Sequence, residues 1–367
     1  MNYSSIQFSK DHNTEFYKTL KSRVNAYFKE NDIAKTANVA MVIKTIVLMC
    51  LFLTPYAFLY LTDLPTYFYL SLWAIMGFGM AGVGLSIMHD ANHGAYSRKQ
   101  WVNTLIGNVI ILLGGSARNW RVQHNVLHHT FTNVADHDED IDPPLPVLRF
   151  SPHSKYRSIH KFQHLYAWFF YGLMTLFWFI SKDYQQAFRY KKKGLIGALG
   201  ISFKQHLFRI ILLKLFYTFL FLFCPLYFGG SVWQISIVGF LIMQFICGLV
   251  LAVIFQPAHV VPVSTYPVPN DSGVVEADWA VSQLYNTANF APKSKLFSWF
   301  VGGLNFQVEH HLFPSICHIH YKKISKIVEQ TAKEYMLPYH SYKTFIKALG
   351  EHTKMLKALG KYNPAIA

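Results

Sequence analysis

The sequence predicts an all-α integral membrane fold: four transmembrane helices in two hairpins, interfacial helices, and a cytoplasmic cap carrying histidine clusters. Three observations predict it. The 367-residue chain is 52% hydrophobic and only 14% charged, well below the quarter that soluble domains carry. Its apolar residues gather into runs of bilayer length. Its histidines gather at the ends of those runs.

Four runs are long enough to span a bilayer, which needs about 20 apolar residues. The first covers about 39–61, with Lys44 placed to snorkel near its start. The turn Thr62-Asp63-Leu64-Pro65 leads into the second, 67–88, which has no charge. The third covers about 207–228, with Arg209 and Lys214 near its start, and Gly229-Gly230-Ser231 leads into the fourth, 232–260. Two shorter runs, 104–115 and 165–181, suit surface or re-entrant helices. A six-span alternative would have both cross, but the first is too short. No repeat or linker divides the chain, so residues 1–367 read as one membrane domain. The basic tail from Ser315 onward reads as helical and surface-bound.

Charge sets the topology. The net charge is +15, yet no Lys or Arg occurs between Thr45 and Ser97 or between Leu215 and Pro292. Basic residues confined to alternate segments follow the positive-inside rule and suit anionic membrane lipids, which argues against nucleic acid as a partner. Segments 1–38, 89–206 and 261–367 are then cytoplasmic. The N-terminal residues lack a signal-peptide core. The four cysteines form no CxxC and imply neither a disulfide framework nor a thiolate metal site.

The histidine clusters are HDANH (His89, His93), HNVLHH (His124, His128, His129) and QVEHH (Gln307, His310, His311). On a helix, residues four apart share a face, so each pair can reach one point. Imidazole is the commonest neutral nitrogen ligand for redox metals. One HxxxH is a weak signal, because interfacial histidines are common. Three clusters on one predicted membrane face point to a metal centre.

HDANH, HNVLHH and GGLNFQVEHHLFP resemble, in order, the three boxes of membrane fatty acid desaturases. Gln307, opening the third, resembles the front-end branch. The resemblance implies a di-iron centre, dioxygen as co-substrate, a bent acyl tunnel, and a fatty acyl substrate carried on CoA or a lipid. Many front-end members carry a fused cytochrome b5 domain. This sequence lacks its HPGG motif, so a separate electron donor, ferredoxin or cytochrome b5, is expected, as in bacterial members; the location expected is a bacterial cell membrane.

Two irons need more ligands than seven histidines. His259, at the end of the fourth run, matches a span-end ligand of the related animal stearoyl-CoA desaturases. His164 resembles a recurrent QH of the branch and is either a ligand or a hydrogen bonder at the headgroups. His160 reads as exposed. Gln307 could ligate weakly, hold a water or orient a ligand. Asp90 and Glu309 lie inside boxes and are candidates to orient imidazoles. The acidic stretch Asp136-His137-Asp138-Glu139-Asp140 could do the same, but for most of it a solvated loop leading into Pro143-Pro144 is the plainer reading. Trp120 and Arg121 could line a headgroup or donor surface, and Asn289 could face the site.

An unactivated methylene has no acidic proton and no leaving group, so acid–base chemistry alone cannot desaturate it. A metal centre that activates dioxygen can, if a tunnel positions one carbon pair beside it. A fatty acyl hydroxylase would use the same site, and a histidine-rich metal transporter is the non-enzymatic alternative. Transporters place ionisable groups within their spans, and here the histidines sit at span edges.

Overall fold

The computed structural model describes residues 6–9, 14–143 and 146–361; Pro144 of the acidic loop lies outside them. Among these, four helices are long and apolar enough to cross a membrane. Helix α1, Thr14–Glu30, precedes them. The spans are α2 (Val39–Phe58), α3 (Thr66–Asn92), α9 (Phe203–Phe228) and α10 (Trp233–His259). Between α3 and α9 come α4 (Gln100–Leu113), α5 (117–131), α6 (Gln163–Gly172), α7 (Met174–Phe177) and α8 (Asp183–Lys192). After α10 come α11 (Trp279–Asn286), α12 (Lys295–Phe300), α13 (Gln307–Leu312), α14 (Tyr321–Glu334) and α15 (Phe345–Leu359).

The inner pair of spans is α3 and α10. Some 72% of the most apolar window of α3 is buried, against 22% for α9, so α9 faces lipid and α3 faces protein. Trp73, Met76 and Met80 of α3 pack with Phe240, Met243 and Leu251 of α10 and with Tyr217 and Phe221 of α9. Interiors are packed to crystal-like density, so this core fixes where the spans end. The two hairpin turns touch at the far end: Gly230 N donates to Leu59 O at 2.7 Å. A Cβ on Gly230 would lie 1.6 Å from Leu61 O, so only glycine fits there.

The short run 104–115 becomes α4, whose last part is 3₁₀ and which ends at Gly114 with φ +74. The run 165–181 becomes α6, α7 and a π-helical turn, Trp178–Lys182, rather than a fifth span. The Ser202 and Asp278 side chains accept hydrogen bonds from helix N–H groups and so start α9 and α11. Parallel two-residue strands β1 (Gln7–Phe8) and β2 (Val274–Val275), and three-residue strands β3 (Ala288–Phe290) and β4 (His340–Tyr342), tie the two ends of the cap to its middle.

Two sequence expectations are corrected. Lys44 does not snorkel: it is 3% exposed, and its Nζ donates to His318 Nε2 at 2.7 Å. The C-terminal segment is amphipathic but not merely laid on a surface. His352 of α15 is fully buried, bonding Val260 O at 2.8 Å and Tyr171 Oη at 2.7 Å.

Candidate metal centre

Each histidine cluster sits on a helix whose position is fixed from outside. His89 lies just beyond a π-helical turn, Val83–Met88, inside the end of α3. His124 and His128 lie in a second π-helical stretch, Arg121–His128, within α5. His310 and His311 lie on α13. Gly302 precedes that helix with φ +63, and a Cβ there would meet Leu85 O at 2.3 Å. The third cluster is thereby held against the turn that carries the first. π-Helical turns recur at functional sites because they rotate the following side chains relative to the regular helix.

The clusters converge into two groups. Ligand nitrogens of His89, His93, His124 and His310 lie within 4.8 Å of one another, and so do those of His128, His259 and His311. His129 stands between them, its ring 4.6 Å from that of His310 and 4.5 Å from that of His311. All eight rings therefore meet.

The outward nitrogens decide what the inward ones present. His124 Nδ1 donates to Asp140 Oδ2 at 2.8 Å, and His128 Nδ1 to Asp138 Oδ1 at 2.9 Å. His311 Nδ1 donates to Gln283 Oε1 at 2.8 Å and His259 Nδ1 to Asn286 O at 3.2 Å, while His310 Nδ1 pairs with Tyr321 Oη at 3.1 Å. A neutral imidazole that donates through Nδ1 carries a lone pair on Nε2. The Nε2 atoms of His93, His128, His259 and His311 are buried with no hydrogen-bond partner among the described residues. His124 Nε2 instead faces His89 Nε2 at 3.2 Å and His129 Nε2 at 3.3 Å. Converging bare lone pairs are unfavourable on their own and are what a cation needs. The residues present fit a histidine-ligated metal.

Burial and the neighbouring imidazoles hold His93, His124, His129, His310 and His311 well below the ordinary histidine pKa. All five are neutral near pH 7, the form that ligates. At His128, burial pulls the same way, but Asp138 and Asp140 outweigh it and raise the value.

Other expected positions fall differently. His164 joins neither group. The buried side chains of α6 include Gln163, Ala167 and Tyr171, while His164 is half-buried with its Nδ1 unpartnered among the described residues; Gln163 holds Arg149 N, Arg149 O and Leu356 O. His160 is 2% exposed rather than open to solvent, and its Nε2 meets Pro146 O. The acidic stretch is not a solvated loop. Asp138 and Asp140 hold two imidazoles, and Glu139 pairs with Arg189, Lys193 and Tyr190. Asp90 Oδ2 accepts from His318 Nδ1 at 2.8 Å, while its other oxygen stays 4.0 Å from His89 Nδ1. Glu309 accepts from Asn289 Nδ2 and Tyr339 Oη, both at 2.9 Å. Asn289 thus fixes the third cluster's helix instead of facing the histidines. Burial raises the Glu309 pKa to about 7, although both donors oppose that shift. Gln307 is fully buried, and neither amide atom has a partner among the described residues. Trp120 lies over the His124 ring at 4.5 Å, and Arg121 donates to Asn92 Oδ1 at 3.0 Å.

Sequence reasoning missed Gln283, Asn286 and Tyr321. The first two are polar residues three apart on one face of α11, and that stripe is the only local signal they give.

A cavity of about 380 Å³ reaches His89 and His124. Near the histidines one side of its wall is apolar, with Gly84, Leu85, Leu251 and Phe255, and Gln123 and Asp140 line it beside His124. Lys182, Gln185 and Arg189 line another part.

A sequence comparison agrees with this geometry: the family described as fatty acid desaturase matches residues 31–343. The chain belongs to the fatty acid desaturase family. Desaturases are membrane oxidoreductases acting on fatty acyl chains with dioxygen, and the four apolar helices fit that class. Among similar desaturases is the sn-1 linoleoyl-lipid 6-desaturase of Arthrospira platensis, 34% identical over 97% of this chain and 95% of its own. The acyl-lipid (8-3)-desaturase of Physcomitrium patens is 36% identical over 97% of this chain and 74% of its own. Delta(5) fatty acid desaturase A of Dictyostelium discoideum is 31% identical over 95% and 76%.

Proposed function

We propose that this chain is a front-end acyl desaturase that inserts a double bond into a lipid-linked fatty acyl chain, using two irons held by the histidine groups. The observation that carries this reading is the meeting of two inward-facing imidazole groups, one of which borders a cavity of about 380 Å³ through His89 and His124. His89, His93, His124 and His310 would hold one iron, and His128, His259 and His311 the other, with His129 placed between. When bound, the metal pair supplies the dioxygen activation that breaking an unactivated C–H bond requires.

The chain's own residues do the rest. The wall formed by Gly84, Leu85, Leu251 and Phe255 orients one stretch of acyl chain beside His89 and His124. Trp120, packed over those imidazoles, excludes water from them. Asp138, Asp140, Gln283 and the Asn286 carbonyl hold His128, His124, His311 and His259 in the tautomer that presents Nε2. The names of the relatives support the lipid-linked substrate and the front-end position. Lys/Arg placement supports a cytoplasmic active face, a bacterial cell membrane is the setting, and residues 1–367 act as one domain. The electrons come from a carrier of the ferredoxin or cytochrome b5 kind.

The test is expression in a host without such lipids, followed by double-bond mapping of total fatty acids by mass spectrometry. A new double bond on the carboxyl side of an existing one is expected, with none from His310→Ala. A hydroxylated product would assign the site to the sister chemistry, and full activity in the variant would remove the third cluster from it.

A further inference from the structure

We propose that the acyl cavity is open at its deep end, so that the methyl-side tail of the substrate passes between α7 and α10 into the bilayer. Chain length beyond the target carbons would then not limit turnover. This rests on the desaturase reading above.

The histidine-bordered cavity follows α10 along Leu251, Ala252 and Phe255. A second void of about 360 Å³ continues along the same helix at Val238, Leu241 and Phe245. The two voids share Leu173 and Leu176 as wall residues. Together they follow α10 over residues 238–256, about 27 Å at 1.5 Å per residue. Val238 and Leu241 are 45% and 44% exposed on a membrane span, so the second void opens toward lipid. Leu173 and Leu176 border the seam, and beside them Gly248 of α10 packs closely against the backbone at Gly172. Leu173 sits at the break between α6 and α7, and both leucines are half-buried. Thr175 Oγ1 donates to Gln244 O at 2.7 Å, pinning the backbones on either side. On the proposed path the two leucines rotate about their side-chain bonds to join the voids, while the Gly172–Gly248 contact beside them stays in place. Charged groups such as Lys182, Arg189 and Asp140 line the first cavity, whereas the second has no charged lining residue and Gln244 as its polar side chain. An acyl ester has one polar end and one apolar end, and this path has the same polarity.

The experiment supplies purified protein, reconstituted with iron and a reductant, with acyl lipids that differ only in length beyond the target carbons. Wild type is expected to vary by less than about threefold across the series. Leu176→Trp should cut turnover of the long-tailed members by about tenfold or more while sparing the shortest, the discrimination that pocket size achieves. Leu176→Ala should keep the flat profile. A sharp length limit in wild type, or an unchanged profile in an active Leu176→Trp, overturns the proposal. If the tryptophan variant makes no product at all, a photoreactive group at the methyl end decides. Cross-links to residues 238–246 support the open path, and cross-links confined to residues 84–88 and 251–255 overturn it. Absence of product from wild type at every length would instead count against the desaturase reading, and the cross-linking would still report on the path.

Discussion

His128 Nδ1 lies 2.9 Å from Asp138 Oδ1, and neither side chain reaches solvent. Asp138 also accepts from Asn133 N and Asp140 N. One carboxylate thus shapes the loop and orients an imidazole. Partners of this kind are worth about 10–100-fold in metal affinity. Asp138→Asn, which keeps the shape and removes the charge, should lose iron correspondingly faster. Iron per protein after dialysis against graded chelator measures it. Retention equal to wild type would show that the carboxylate is dispensable.

A second buried carboxylate ties the cap to a span. Asp183 Oδ2 accepts from Lys214 Nζ at 2.6 Å, and its Oδ1 accepts from Asn119 Nδ2 at 3.1 Å, beside the second cluster. Removing one partner of a buried pair strands the other charge, at a cost of about 3–5 kcal/mol. Lys214→Met should therefore lower the thermal midpoint in detergent sharply. The double variant with Asp183→Asn should regain part of the loss. A double variant worse than the sum of the singles would contradict this.

Gly302 places the third cluster. An alanine there takes up a left-handed conformation at a cost of about 1–2 kcal/mol, and its Cβ meets Leu85 O. Gly302→Ala should lower both stability and iron content, because Leu85 belongs to the turn that leads into His89. Unchanged iron content would show that the third cluster keeps its place without this contact.

His164 and His93 make opposite predictions. His93 Nε2 converges with His89, His124 and His310, whereas His164 lies outside both groups. His164→Ala should keep iron per folded protein within about twofold of wild type, the range expected away from the ligand set, and His93→Ala should lose iron and activity. Iron loss in the His164 variant would bring that residue into the centre.

His352 gives the fold an acid limit. Burial lowers its pKa to about 4, below the unfolded value near 6.5. Between those values the unfolded chain binds the extra proton, so the contribution is present above pH 6.5 and is lost as pH falls toward 4. Its size is up to about 3 kcal/mol. The thermal midpoint should fall more steeply on acidification in wild type than in His352→Gln. Parallel curves would exclude this histidine as a cause.

The four spans and the histidine clusters were legible because both signals are local. A run of about 20 mostly apolar residues marks a span, and HxxxH marks a shared helix face. What was not legible depends on distant partners. Lys44 looks like a snorkelling lysine until His318, 274 residues away, is placed beside it. Asp138 and Asp140 look solvated until α5 folds over them. His164 and Gln163 differ by one residue, and only packing shows which of them faces inward. His129 shares a cluster with His128, yet it lies between the two groups rather than within either.

The closing helix α15 has a practical consequence. Leu356 and Leu359 offer their carbonyl oxygens to Gln163 and Arg149, and His352 reaches the end of the span that carries His259. Truncated enzyme ending near residue 340 would forfeit these anchors while keeping every histidine of the three boxes. Shortened versions made to ease crystallisation or expression should stop after Gly360, because an intact motif count does not guarantee a working enzyme.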